Sequence, residues 1–181
     1  LLCFGGISGS GPGQIPTNAI IVSADLIITI PPEVSNSPGD ASPLYRMLAP
    51  WDPDSITWNN AGYGGEGLIP NGVHARSNYY SFFGLPGGEA ETGRGTITLG
   101  VTEDVKAWVN GGEANYGWLM PGWQPPAASG PRTDGTAFAS CEWMNNMAER
   151  PLLRVLWLPE NTPSAGFRQD VSGYVGTHDT R

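Results

Sequence analysis

The chain has 181 residues, 39% of them hydrophobic and 14% charged, with a formal net charge of −8. That length suits one domain, or one domain with an extension. The acidic balance argues against phosphate backbones and anionic membrane surfaces as partners, and no apolar run is long enough to cross a bilayer as a helix. The 26 Gly and 17 Pro follow no collagen period and indicate many turns, while 7 Trp, 6 Tyr and 5 Phe argue against a disordered chain.

In chain order, "LLCF" reads as a chain that starts inside a β-strand. "GSGPGQ" at 9–14 has the glycine content of a phosphate loop, but no Lys-Ser/Thr follows it and no helix starts there. Its glycines read as tight turns. Residues 19–30, "AIIVSADLIITI", alternate strictly and are rich in Val and Ile. Ile20, Val22, Ala24, Leu26, Ile28 and Ile30 are therefore expected on one face, and Pro31-Pro32 stops the strand.

A second strand is expected over 43–49 and a short irregular one over 55–61, followed by a long loop over 62–94. Strand 95–101 feeds a helix over 102–110. Thr102 is its expected cap, Glu103 and Asp104 complement the positive end of its dipole, and Gly111-Gly112 end it. Val105, Trp108 and Val109 form its buried stripe. Strands over 116–120, 137–143 and 151–158 follow. The last has both faces covered by large side chains and is expected to be central. A domain over 1–159, a linker over 160–166 and a strand-like extension over 167–181 complete the organisation. The fold class is all-β: an antiparallel, jelly-roll-like β-sandwich with one short helix. There is no strand–helix–strand rhythm, so a doubly wound nucleotide fold is excluded.

Chemistry finds little purchase in these residues. His74 and His178 stand in separate loops without a nucleophile motif, and Cys3 and Cys141 have no zinc-like spacing. Asp52-Pro53-Asp54-Ser55 reads as a turn. We therefore expect no enzymatic activity and no organic cofactor. Calcium is the one metal considered, with Asp52, Asp54 and Asp134 as weak candidates and Asp25 and Asp40 as further oxygen donors. Trp51, Trp58, Trp108 and Trp157 look structural. Trp123 lies in a loop-like stretch over 121–138, and Tyr63, Tyr79 and Tyr80 lie in the loop 62–94. Long loops in compact domains are often functional, and aromatic faces suit sugar rings. The plainer alternative is that these side chains pack on the domain or on a neighbour.

Four segments in order, "LLCFGGISGSGPGQIPTNAIIVSADLIITI", "LYRMLAPWDPDSITWNN", "GVTEDVKAWVNGGEANYGWLM" and "FASCEWMNNMAERPLLRVLWL", resemble successive segments of the DNRLRE domain family. The resemblance covers about residues 1–158. It implies a β-sandwich similar to carbohydrate-binding modules, in a secreted or cell-surface bacterial protein. The first-strand pattern of that family is similar to "SGYVGTHDT" at 172–180, so the chain reads as a circularly shifted domain. Phe167, Val171, Tyr174 and Val175 would donate this strand to their own sandwich or to a neighbouring copy. The implied role is a subunit or repeat of a surface fibre, with other copies of the chain as partners. The competing role is a polysaccharide-binding module. The family pattern carries Arg where this chain has Cys3 and a small residue where it has Cys141. A disulfide between them is expected, with two buried thiols as the alternative. Glu142 is expected to pair with Arg46 or Arg150 inside the sandwich.

Overall fold

Isoleucine and valine fit a pleated, half-buried surface, and residues 20–30 form the longest strand, β1 (Ile20–Ile30). The computed structural model describes residues 1–31, 42–52, 56, 70, 72–79, 81–83, 95–120 and 138–160. The remaining strands are β2 (Ser42–Arg46), β3 (Ser81–Phe83), β4 (Gly95–Gly100), β5 (Trp118–Leu119) and β6 (Leu152–Leu158). One helix, α1 (Thr102–Val109), stands between β4 and β5, and a 3₁₀ turn covers Met147–Glu149. The fold is all-β with antiparallel pairing: one sheet has the order β4-β1-β6, the other β3-β2-β5. The extension 167–181, the linker beyond residue 160 and the short strand expected near 55–61 fall outside the described residues, Ile56 excepted.

Both sheets and the helix feed one buried cluster. Leu26 and Ile28 of β1, Leu99 of β4, Leu153 of β6, Leu44 of β2, Trp118 of β5, and Val105 and Trp108 of α1 belong to it. Phe4 joins from the opening segment, edge-on to Trp118 with ring centroids 6.4 Å apart. A smaller cluster gathers Met47, Ala75 and Leu119.

The opening residues make a single bridge rather than a strand. Leu2 exchanges both backbone hydrogen bonds with Trp118, at 3.0 and 2.8 Å. The approach is close because position 117 is glycine. A Cβ on Gly117, whose φ is +73°, would stand 2.0 Å from the Leu2 carbonyl oxygen. Asn115 locks the same junction: its Nδ2 donates to the Phe4 carbonyl at 2.7 Å and its Oδ1 accepts from the Gly117 N–H at 3.1 Å. The glycine-rich stretch that follows closes around its own glutamine. Gln14 Oε1 accepts from Gly11 N–H at 2.8 Å, and Gln14 Nε2 donates to the Gly6 carbonyl at 2.9 Å.

The alternating face expected for β1 is only partly right. Ala24, Leu26, Ile28 and Ile30 are buried, but Ile20 and Val22 are each 47% exposed and Ile21 takes the buried place. The cause is a bulge. Pairing with β6 steps from Ile21↔Trp157 to Ser23↔Leu156, so β1 spends one extra residue there. One extra residue reverses which face each side chain takes.

Three further expectations are corrected. Residues 137–143 form no strand where described: Ala139 N–H bonds the Thr29 carbonyl at 2.9 Å, and the chain turns at Cys141–Glu142. That segment carries its own turn residue, Ser140, whose Oγ accepts from Glu142 N–H at 3.2 Å. Among the described strands β1 holds the central place that was expected of β6, and β6 pairs there with β1 alone. Its second face is covered by leucines that are only half-buried. Thr102 does not cap α1. Val101 occupies the cap position, and Thr102 Oγ1 instead accepts from Ala24 N–H at 2.9 Å, tying the helix to β1. Gly112, at φ +69°, ends the helix as expected.

Candidate functional site

The most unusual chemistry in the molecule is a buried cluster of charge. Arg46 is at the end of β2, two residues beyond Leu44, so the pleat carries it to the same buried face. Asp104 stands four residues before Trp108 on α1, which places it on the buried stripe of the helix. The two meet with Arg46 Nε 3.6 Å from Asp104 Oδ1, and they are 1% and 2% exposed. Trp118 Nε1 donates to the second carboxylate oxygen, Oδ2, at 2.7 Å. Arg46 Nη2 also pairs with Glu113 Oε2, while Arg76 Nη2 lies 3.6 Å from the other Glu113 oxygen. Glu113 and Arg76 are the solvent end of the cluster, and Arg46 and Asp104 are its dry end.

Burial pushes the Asp104 carboxyl above its ordinary range. The Trp118 N–H and the positive charge of Arg76 pull it back, and Glu113 and Glu103 push it up further. A raised acid can serve as a proton donor, but one sealed from solvent has no substrate to reach. The arrangement acts as a clamp: it joins α1, β2, β5 and the 110–117 turn, and a buried ion pair left half-made is costly. Of its members, Asp104 was read from sequence only as a dipole partner. Glu103 keeps that surface role and pairs with Lys106 at 2.9 Å. Glu142 was expected to pair with Arg46 or Arg150; it is exposed, the carboxylate partners of Arg46 are Asp104 and Glu113, and Arg150 Nε donates to the Trp143 carbonyl at 2.9 Å. The periodicity of β2 and α1 carried the signal, since both charged residues fall on apolar faces.

The expected site residues are spread widely. Tyr79 is 50% exposed and stands edge-on to Tyr45, ring centroids 5.9 Å apart and planes at 89°. Trp51 is half-buried against the smaller cluster, its Nε1 donating to the Tyr116 carbonyl at 2.8 Å, and Trp108 and Trp157 pack on the main core. Tyr63, Tyr80, Trp58, Trp123, Asp54, Asp134, Phe167, Val171, Tyr174 and Val175 lie outside the described residues. Asp52 is exposed, and its carbonyl accepts from Ile56 N–H at 2.9 Å. Among the described residues no group of three or more His, Cys, Asp or Glu is placed to hold a metal ion.

The expected disulfide is not formed. Cys3 sits beside Asn115 and the Gly117 junction, its Sγ 3.9 Å from Asn115 Oδ1, whereas Cys141 lies in the turn after Ala139, which is bonded to β1 at Thr29. Burial pushes the Cys3 thiol up, which keeps it protonated.

No family model, curated protein or solved structure matches this chain.

Proposed function

We propose that this chain is a non-catalytic, extracellular structural module of the DNRLRE type, a subunit or repeat of a surface fibre whose copies join by β-strand complementation. Its two antiparallel sheets are read as the halves of a β-sandwich. One core drawn from both sheets supports that reading. The observation that carries the functional reading is the position of β6. Among the described strands it has a partner on one side only, and the chain then runs into the strand pattern of Phe167, Val171, Tyr174 and Val175. A strand with an open side is a template for another chain. The sealed position of Asp104 and Arg46 supports a structural use of the cluster rather than catalysis.

The test is direct. The full chain should sediment as a large, concentration-dependent species and show filaments by electron microscopy. A chain lacking residues 165–181 should not. Equal assembly with and without those residues refutes the reading.

A second reading, binding of polysaccharide, is favoured by the half-exposed Tyr79 braced edge-on by Tyr45. Retardation of the protein in gels containing soluble polysaccharide, lost in Tyr79→Ala, would favour it over the fibre role.

A further inference from the structure

All four methionines lie among the described residues, and they divide into two pairs. Met47 is 1% exposed in the smaller cluster, and Met120 packs half-buried on the main one. Met144 and Met147 are 80% and 64% exposed, and neither packs into a core cluster. They share the segment 140–150, which polar contacts build. Trp143 N–H donates to the Ser140 carbonyl at 3.1 Å, and its Nε1 donates to Glu149 Oε2 at 2.7 Å. Asn146 Oδ1 accepts from Ala148 N–H at 3.1 Å and caps the 3₁₀ turn that Met147 opens. Arg150 Nε donates to the Trp143 carbonyl at 2.9 Å, and its Nη2 donates to Met144 Sδ at 3.7 Å. The segment is fixed to β1 just ahead, where Ala139 N–H bonds the Thr29 carbonyl. Two long apolar side chains that pack on no core contribute little to folding, and what distinguishes them is the reactivity of their thioethers.

We infer that Met144 and Met147 form a modification site for hydrogen peroxide, and that Arg150 holds the sulfoxide oxygen formed at Met144. Exposure admits the reagent to both sulfurs. At each, the sulfur lone pair attacks one peroxide oxygen and the O–O bond breaks. The attacked oxygen passes its proton to the departing one, which leaves as water. Sulfur is oxidised by two electrons and the peroxide is reduced by two. A sulfoxide is polar, and inside a core it disrupts packing. At Met144 and Met147 it meets water, so the fold tolerates it and a reductase can reverse it. Arg150 separates the two positions. A thioether sulfur is a weak acceptor, whereas a sulfoxide oxygen facing a guanidinium accepts a charge-assisted hydrogen bond. Arg150 is already oriented by the Trp143 carbonyl and already donates to Met144 Sδ, so it needs little movement to take that oxygen. Met147 meets Arg150 through its backbone carbonyl, which accepts from the Arg150 N–H at 3.3 Å.

Limited hydrogen peroxide added to the native full-length chain tests the site, with peptide mapping by mass spectrometry following the added oxygen at each methionine. Met144 and Met147 should gain it at least about tenfold faster than Met47. Near-ultraviolet circular dichroism, reporting Trp108 and Trp118 in the core, should stay unchanged while they do. The oxidised chain is then treated with methionine sulfoxide reductases for both epimers. In the wild type the sulfoxide at Met144 should be repaired about fivefold more slowly than that at Met147, the difference one such hydrogen bond makes. In Arg150→Ala the two should be repaired at similar rates, with Met147 as the internal reference. Oxidation of Met47 as fast as Met144 and Met147, with the dichroism intact, overturns the site. So does loss of the dichroism as Met144 and Met147 react. Equal repair at both positions in the wild type, or a Met144 that stays slow in Arg150→Ala, overturns the role of Arg150 and leaves the site standing.

Discussion

At position 117 a single missing Cβ decides whether the opening segment can dock. The backbone there is left-handed and within 2.0 Å of where a side chain would meet the Leu2 carbonyl. Gly117→Ala combines a strained φ with a clash against backbone, and we expect it to cost about 3 kcal/mol of stability by urea unfolding. A loss under about 0.5 kcal/mol would mean that the opening segment does not dock there. Asp104 makes a prediction about pH. Its folded pKa is raised by burial above the unfolded value. Between the two, the folded chain holds more protons than the unfolded one, so this group's contribution to stability falls as pH rises. The stability of the wild type relative to Asp104→Asn should therefore decline as pH rises from about 4, the ordinary carboxylate range, and level off above the raised pKa. Denaturant midpoints across pH 3–8 check the sign; a difference that grows with pH would mean that the Arg46 pairing outweighs desolvation. Removing Arg46 instead leaves the carboxylate buried without its neighbour, and Arg46→Ala should cost about 3–5 kcal/mol.

At the scale of elements, the β1 bulge separates two accounts of the same sequence. Strict alternation puts Val22 in the core and Ile21 outside. The extra residue between Ile21 and Ser23 puts them the other way round. Ile21→Ala should therefore cost about 3 kcal/mol, as for a buried isoleucine, and Val22→Ala about 0.5 kcal/mol or less in the unassembled chain. The reverse order of the two losses, read from thermal or urea unfolding, would mean that the strand runs without a bulge. The helix shows the same dependence on neighbours. Its position, its acidic start and its glycine stop were legible in the sequence, but Thr102 was taken by the backbone of Ala24 before it could cap. A side-chain hydroxyl makes whichever hydrogen bond the packed neighbour offers.

Over the whole molecule, the central place of β1 sets the order of opening. It is paired on both sides and contributes Leu26 and Ile28 to the core shared by both sheets. Hydrogen exchange at the β1 amides of Leu26 and Ile28 should report only global unfolding, and the amides of Gly9 and Gln14, held within a short surface loop, should exchange faster by local opening. Comparable rates at both places would mean that the loop and the sheet open together. The sequence by itself determined the all-β class, the main strands over 20–30, 95–100 and 152–158, and the helix between β4 and β5. Those features depend on local periodicity, β-branched content and glycine stops, which act over a few residues. Only the tertiary structure decided that β1 is central among the described strands, that Ile20 and Val22 face outward, that residues 138–143 do not form a strand, and that Arg46 and Asp104 meet in the core. Each of these depends on a partner far along the chain, such as Leu156 for the bulge or Trp118 for the buried acid. Periodicity marks which face a residue takes but carries no information on what stands opposite.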